Sequence, residues 1–146
     1  MQKSIIKKLT ALLLALLCVL AFASCGAQET PANPPAASDA DYGEPMHTGE
    51  GTTQFIFRIT AEDKKTQYLV YTDAKTVGEA LLATGLIAGT TSAGSLMVTT
   101  VCGTTLDYEK DGAYWAFHIN GEYATAGVSE TTITPDTIYE FAYTKA

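Results

Sequence analysis

The sequence predicts an α+β domain in which a mixed sheet packs against one helix, and three observations predict it. Runs of period-two alternation recur between residues 53 and 144, the pattern of strands with one buried face. A single stretch, Thr76 to Ile87, switches to the 3.6-residue period of a helix. The stretch Gly112 to Tyr123 sets Trp115, Phe117 and Ile119 on one strand face and ends that strand in Asn120-Gly121. Asn and Gly tolerate the positive φ values of a tight type I′ hairpin turn. Trp115 is the chain's one tryptophan and offers a small core the largest apolar side chain.

Each element follows in order. Thr53–Thr60 alternates Phe55, Phe57 and Ile59 with Gln54, Ile56 and Arg58, and Gln67–Thr72 returns after the polar turn Ala61–Lys65, so the two form a hairpin. In the helix, Thr76 followed by Glu79 is a capping-box pattern. Val77, Ala80, Leu81 and Thr84 share its apolar face, Leu82 extends that face, and Gly85 suits the C′ position. Ala88–Gly94 is rich in Gly, Thr and Ser and reads as a loop. Leu96–Val101 reads as a third strand, Leu106–Tyr108 as a short one, and Glu109–Gly112 as the turn into the central hairpin. Pro135-Asp136 turns the chain into a last strand, Ile138–Thr144, with Tyr139, Phe141 and Tyr143 on one face. Strand, strand, helix and further strands make a two-layer, β-grasp-like arrangement.

The N-terminal third of the chain reads differently. Lys3, Lys7 and Lys8 precede an apolar run from Leu12 to Phe22, which is shorter than the ~20 residues a spanning helix needs and suits an export signal. The run ends in Phe22-Ala23-Ser24-Cys25-Gly26, which resembles the bacterial lipobox. That resemblance implies a signal peptide over residues 1–24 and a Cys25 that is acylated. It also implies a protein held at the extracytoplasmic face of the bacterial cell membrane by buried acyl chains. The alternative is an ordinary signal peptide with an incidental cysteine. Residues 25–51 hold Pro31, Pro34, Pro35 and Pro45 among small polar residues, too little apolar surface to fold. They are expected to be a flexible linker that carries His47 and has a reach on the order of 25–30 Å. The folded domain is expected over residues 52–146.

With 146 residues, one modest domain is the expectation. The formal charge is −7, and losing residues 1–24 removes three lysines and no acid, which carries it to −10. Such a surface repels nucleic acid, so no nucleic-acid partner is expected. Of the three cysteines, Cys18 falls in the signal and Cys25 at the anchor. Cys102 is left without an intramolecular partner and reads as a small buried hydrophobe in an apolar strand.

Thr76-Val77-Gly78-Glu79-Ala80-Leu81, Tyr114–Gly121, Ala126-Gly127-Val128 and Ile138–Tyr143 together resemble the DUF4430 domain. That domain is similar to the C-terminal β-domain of transcobalamin and intrinsic factor and is common in bacterial lipoproteins. The resemblance covers about residues 52–146. It implies that cobalamin is a conceivable ligand, but the chain has no room for the large helical domain against which the cobalamin carriers close. Cobalamin enters through the resemblance alone, since fold does not fix function.

Catalytic patterns are missing. No GxSxG, phosphate loop or GxGxxG occurs, and no Cys/His cluster has metal spacing. Asp107, Glu109 and Asp111 could offer oxygen ligands to a cation, yet they lack a glycine-punctuated calcium loop and read as a solvated turn. His118 lies on the strand face opposite Trp115. The tyrosines at 68, 71, 108, 114, 123, 139 and 143 are numerous enough to supply both core and a ligand-stacking patch. The reading is therefore a non-enzymatic binding or interaction module for a small molecule or surface protein, with a corrinoid-binding lipoprotein as the alternative. Tyr114, His118, Asn120, Gly121, Gly127 and Val128 are the candidate ligand contacts.

Replacing Cys25 with Ser removes the acylated thiol. We expect the variant to leave the membrane fraction after a carbonate wash, and retention there would rule out the lipid anchor.

Overall fold

The computed structural model describes residues 41–146; the expected signal segment, Cys25 and the linker as far as residue 40 lie outside the described residues. Alternation places Phe55, Phe57 and Ile59 on the buried face of β2 (Thr53–Thr60), which pairs antiparallel with β3 (Lys65–Thr72) from Thr53 opposite Thr72 to Thr60 opposite Lys65. After the helix and a smaller sheet come β7 (Ala113–Ile119), β8 (Glu122–Tyr123) and β9 (Ile138–Lys145). Together with β1 (Met46–Gly49) they complete a six-stranded sheet of order β1-β3-β2-β9-β7-β8, in which β2 runs parallel to β9 and β7 antiparallel to it. The hairpin turn falls at Asn120-Gly121, with φ of 50° and 85°, as the sequence predicts.

Helix α1 (Val77–Ala83) starts at Thr76, whose hydroxyl accepts the Glu79 N–H while the Glu79 carboxylate accepts the Thr76 N–H. Loss of such a cap typically costs about 1 kcal/mol. At the other end Gly85 N–H donates to Leu82 C=O and Leu86 N–H to Leu81 C=O, the paired bonds of a Schellman motif, with Gly85 at φ 70°. Val77, Ala80 and Leu81 face the core, but Leu82 is 46% exposed and does not extend the apolar face. One step of about 100° beyond Leu81 turns its side chain away from the sheet.

The segment read as a loop is a strand. β4 (Ile87–Ser92) pairs with β5 (Ser95–Val101) through a two-residue turn at Ala93-Gly94, and β5 pairs with β6 (Thr104–Thr105) through another at Cys102-Gly103. Only Ile87 of β4 is buried, so its apolar content could not announce it; the ladder to β5 makes it a strand. Cys102, expected inside a strand, occupies the second turn at φ 46° and is exposed. The short strand expected at 106–108 falls earlier, at β6, and Tyr108–Asp111 forms the short helix α2 with Asp107 as its N-cap. The expected helix layer is thus a joint one. Val77, Ala80 and Leu81 of α1 and Ile87, Leu96 and Val101 of the small sheet share one core with Phe55, Phe57, Val70, Trp115, Phe117, Tyr139 and Phe141.

Residues 41–51, expected to belong to the linker, are built into the domain. Tyr42 is 6% exposed, and β1 (Met46–Gly49) runs parallel to β3 with His47 opposite Leu69. A polar four-residue strand beside Pro45 has little propensity of its own and forms because the edge of β3 supplies its partners. Tyr42 also closes the outer face of the sheet. The Arg58 guanidinium lies 4.5 Å from its ring centroid, Arg58 Nε donates to Gln67, and the Tyr42 hydroxyl donates to Glu140 at 3.0 Å. Burial pushes the Tyr42 phenol above its ordinary pKa. Arg58, alternating with the core residues of β2, is buried all the same because this cover stands over it.

Trp115→Ala is expected to cost about 3–5 kcal/mol, read as a lowered denaturation midpoint. A chain trimmed to begin at Thr52 is expected to melt roughly 10 °C or more below one that begins at Asp41, because it loses Tyr42 and β1. Equal melting temperatures would return residues 41–51 to the linker.

Candidate binding groove

β8 is only two residues long and covers β7 at His118 and Ile119 alone. Beyond it the outer edge of β7 lies at the bottom of a groove of about 530 Å³. Trp115, Phe117 and Phe141 form its floor, and Leu96, Met97 and Val98 of β5 form one wall. Tyr108, Tyr114 and Tyr123 form the opposite wall, and Ala124–Val128 closes the end. A second space of about 410 Å³ continues along the same edge past Met97, Tyr108, Tyr114 and Trp115 to Ala113, Leu106 and Glu109.

Local chemistry holds these walls in place. Gly127 C=O accepts the N–H groups of Glu130 and Thr131, and the Glu130 carboxylate accepts the Gly127 N–H at 3.0 Å. The turn docks on the start of α1, where Val77 N–H donates to Thr131 C=O and Gly78 N–H to Val128 C=O, each at 2.9 Å. Gly78 permits that approach, for a Cβ there would stand 3.2 Å from the Val128 backbone. Ser129 Oγ accepts the Leu96 N–H and ties the turn to β5. Trp115 Nε1 donates to Thr104 C=O at 3.3 Å, which joins the floor to the small sheet.

The tyrosines ring the opening. Tyr108 and Tyr114 have centroids 6.3 Å apart. Desolvation raises the Tyr114 phenol pKa, and the neighbouring Tyr123 phenol adds to the rise. Tyr108, Tyr123 and Met97 are 62%, 63% and 66% exposed, large apolar surfaces gathered at one mouth.

The six expected contacts divide. Tyr114, Gly127 and Val128 line the groove. His118, Asn120 and Gly121 stand outside that lining. Asn120 is engaged in the fold: its Oδ1 accepts the Ile138 N–H at 3.0 Å, and its own N–H donates to Ile138 C=O. Gly121 completes the turn. The His118 ring meets Tyr123 edge-on at 5.4 Å, and its enclosed Nδ1 has no partner among the described residues. Met97, Tyr108 and Tyr123 line the groove and were absent from the expected contacts. An outward Met at the middle of a strand was the available signal for Met97, and only the folding of α2 brings Tyr108 across from it.

Other candidates resolve simply. Asp107 caps α2 through the N–H groups of Glu109 and Lys110 and bridges Lys110 at 2.8 Å, while Asp111 accepts the Asp107 N–H. These carboxylates serve the helix, and the Lys110 ammonium, with the N–H groups of Lys110 and Glu109, holds the Asp107 carboxyl below its ordinary pKa. Among the described residues no group of three His, Cys, Asp or Glu side chains converges as a metal site would. Cys102 Sγ lies 3.8 Å from the Tyr68 hydroxyl, and desolvation pushes the thiol pKa up, the opposite of a reactive cysteine.

Residues 74–145 match the family model described as Domain of unknown function (DUF4430). No curated protein matches the chain in sequence. Among solved structures, the fold is similar to a candidate metal-binding protein from Ruminococcus gnavus ATCC 29149, at 23% identity and a TM-score of 0.61, over 65% of this chain and 99% of that one. It is also similar to haptocorrin, solved in complex with Cbi, at 14% identity and a TM-score of 0.51, over 64% of this chain. The match spans 25% of the haptocorrin chain. At these identities the likeness concerns the fold.

Proposed function

We propose that this chain, which carries a DUF4430 domain, is a lipid-anchored binding protein of the extracytoplasmic face and not an enzyme, and that its ligand seats in the groove beside β7. The observation that carries this reading is the groove itself. Its aromatic and apolar lining, with Tyr108, Tyr123 and Met97 exposed at the mouth, is the surface chemistry of a binding site. The lining is tied to α1 by backbone hydrogen bonds and to β5 and β6 through the Ser129 hydroxyl and the Trp115 indole, so little ordering is left to oppose binding. Tyrosine hydroxyls at the rim can orient a ligand while their rings stack on it. The lipobox-like Cys25 and the linker that follows it support placement at a membrane surface, with the folded domain held away from the lipid. The β-grasp-like arrangement of sheet and helix belongs to this reading too, as the scaffold for the groove.

The test uses the chain's single tryptophan. The Trp115 indole N–H signal in a two-dimensional NMR spectrum is expected to shift when members of an aromatic fragment library bind, together with signals of Tyr108, Tyr114 and Tyr123. Binding fragments that leave all four unmoved would place the site elsewhere.

The likeness to haptocorrin favours a second reading, a corrinoid ligand. A single domain supplies only part of the surface that a two-domain carrier closes around its ligand, while the entropy lost on immobilising the ligand remains. Calorimetric titration with cyanocobalamin is therefore expected to give a dissociation constant no tighter than about 1 μM, if it gives heat at all. A one-to-one nanomolar complex would make the corrinoid reading the leading one.

A further inference from the structure

The pairing pattern of β7 leaves one side of its backbone open. Ala146 N–H donates to Gly112 C=O and Asn120 N–H to Ile138 C=O, so the even-numbered residues between them bond to β9. The odd-numbered residues Ala113, Trp115 and Phe117 point their N–H and C=O groups the other way. Phe117 C=O accepts the Ala124 N–H at 2.9 Å, and there the chain departs. Among the described residues, the N–H and C=O groups of Ala113 and Trp115 and the N–H of Phe117 take no partner. These groups recur at every second residue, on the floor of the groove, with the spacing of a sheet edge waiting for its next strand.

We infer that this edge binds an extended, apolar and basic peptide strand by β-strand addition. The inference rests on the groove reading above and names its occupant. β5 does not take the place of the strand: it pairs with β4 along its length and with β6 at Thr100 and Val101, and it forms no ladder with β7. The edge is recessed between Met97 and Val98 on one side and Tyr108, Tyr114 and Tyr123 on the other. A single extended chain fits such a slot, whereas the edge of a second folded sheet is kept out by the walls. From Ala113 to Phe117 the edge offers about 13 Å, the length of five extended residues. Alternate side chains of the added strand would fall toward Trp115 and Val98 or toward Tyr114 and Tyr123, which divides them between two environments. Charge selects the sequence. Residues 105–130 hold Asp107, Glu109, Asp111, Glu122 and Glu130 against the lysine Lys110, which is already bridged to Asp107 at 2.8 Å. Lysine or arginine side chains at the rim of the slot meet that acidic field.

The probe is a capped hexapeptide alternating lysine and valine, titrated into the intact chain with Trp115 fluorescence as readout. Two further versions carry N-methyl groups on alternate amides, one version for each edge of the peptide. One-to-one binding with a dissociation constant below about 1 mM is expected, weakened at least tenfold by N-methylation of one edge and unchanged by N-methylation of the other. Tyr108→Ala, at an exposed position, is expected to weaken the parent peptide without changing the melting temperature. If both methylated versions bind like the parent, strand addition is wrong and the groove reading stands. If no peptide binds up to 1 mM while fragments still shift the Trp115 signal, strand addition is again wrong and the groove reading again stands. If the peptide binds and Tyr108→Ala has no effect, both readings fail together.

Discussion

The contact on which the rest depends is the one Trp115 makes between the two sheets. Its backbone belongs to β7, opposite Tyr143 of β9, while its indole N–H bonds to Thr104 C=O in β6. The ring fills the space that neither sheet could close alone, because the small sheet buries little beyond Ile87, Leu96 and Val101. A three-stranded sheet with so few core residues is not stable by itself. It is held by what it packs on, and a large flat side chain with a polar edge is well suited to that position: the ring supplies apolar area and the N–H satisfies a carbonyl at the margin of the core.

From that junction follows the shape of the groove. Trp115 holds β5 and β6 alongside β7 without a backbone ladder between them, and β8 ends after two residues, so a slot remains along the edge. The slot is bounded by elements anchored elsewhere. The 127–131 turn is fixed on the start of α1 and on β5, and the approach of α1 depends on Gly78. An exposed sheet edge is a hazard for aggregation, and recessing it between walls limits what can reach it. The same recess leaves a concave surface of mostly apolar and aromatic residues.

On the far side of the sheet a different arrangement performs a comparable task. Arg58 is buried under Tyr42 and beside Gln67, and Glu140 receives the hydroxyls of Tyr42 and Thr60. A buried cation is tolerable only with such partners. The N-terminal segment therefore belongs to the domain energetically, since removing it would open this cluster to water.

The sequence by itself determined whatever depends on near neighbours. Alternation identified β2, β3, β7 and β9, the Thr76/Glu79 pair marked the start of α1, Gly85 its end, and Asn120-Gly121 the hairpin, because in each the physical cause lies within a few residues. Tyr114, Gly127 and Val128 were legible as candidate contacts through the motifs that hold them. Tertiary structure decided the rest. β1 and β4 are strands only because β3 and β5 offer them a ladder, and their polar residues carry no pattern that could announce it. Cys102 sits in a turn and Leu82 faces solvent because packing set the register and the helix rotation. Met97, Tyr108 and Tyr123 came to line one groove through the meeting of β5, α2 and β8, elements distant in the chain. Pairing between distant segments is settled by which surfaces can be buried together, and a reading confined to local periodicity has no access to that choice.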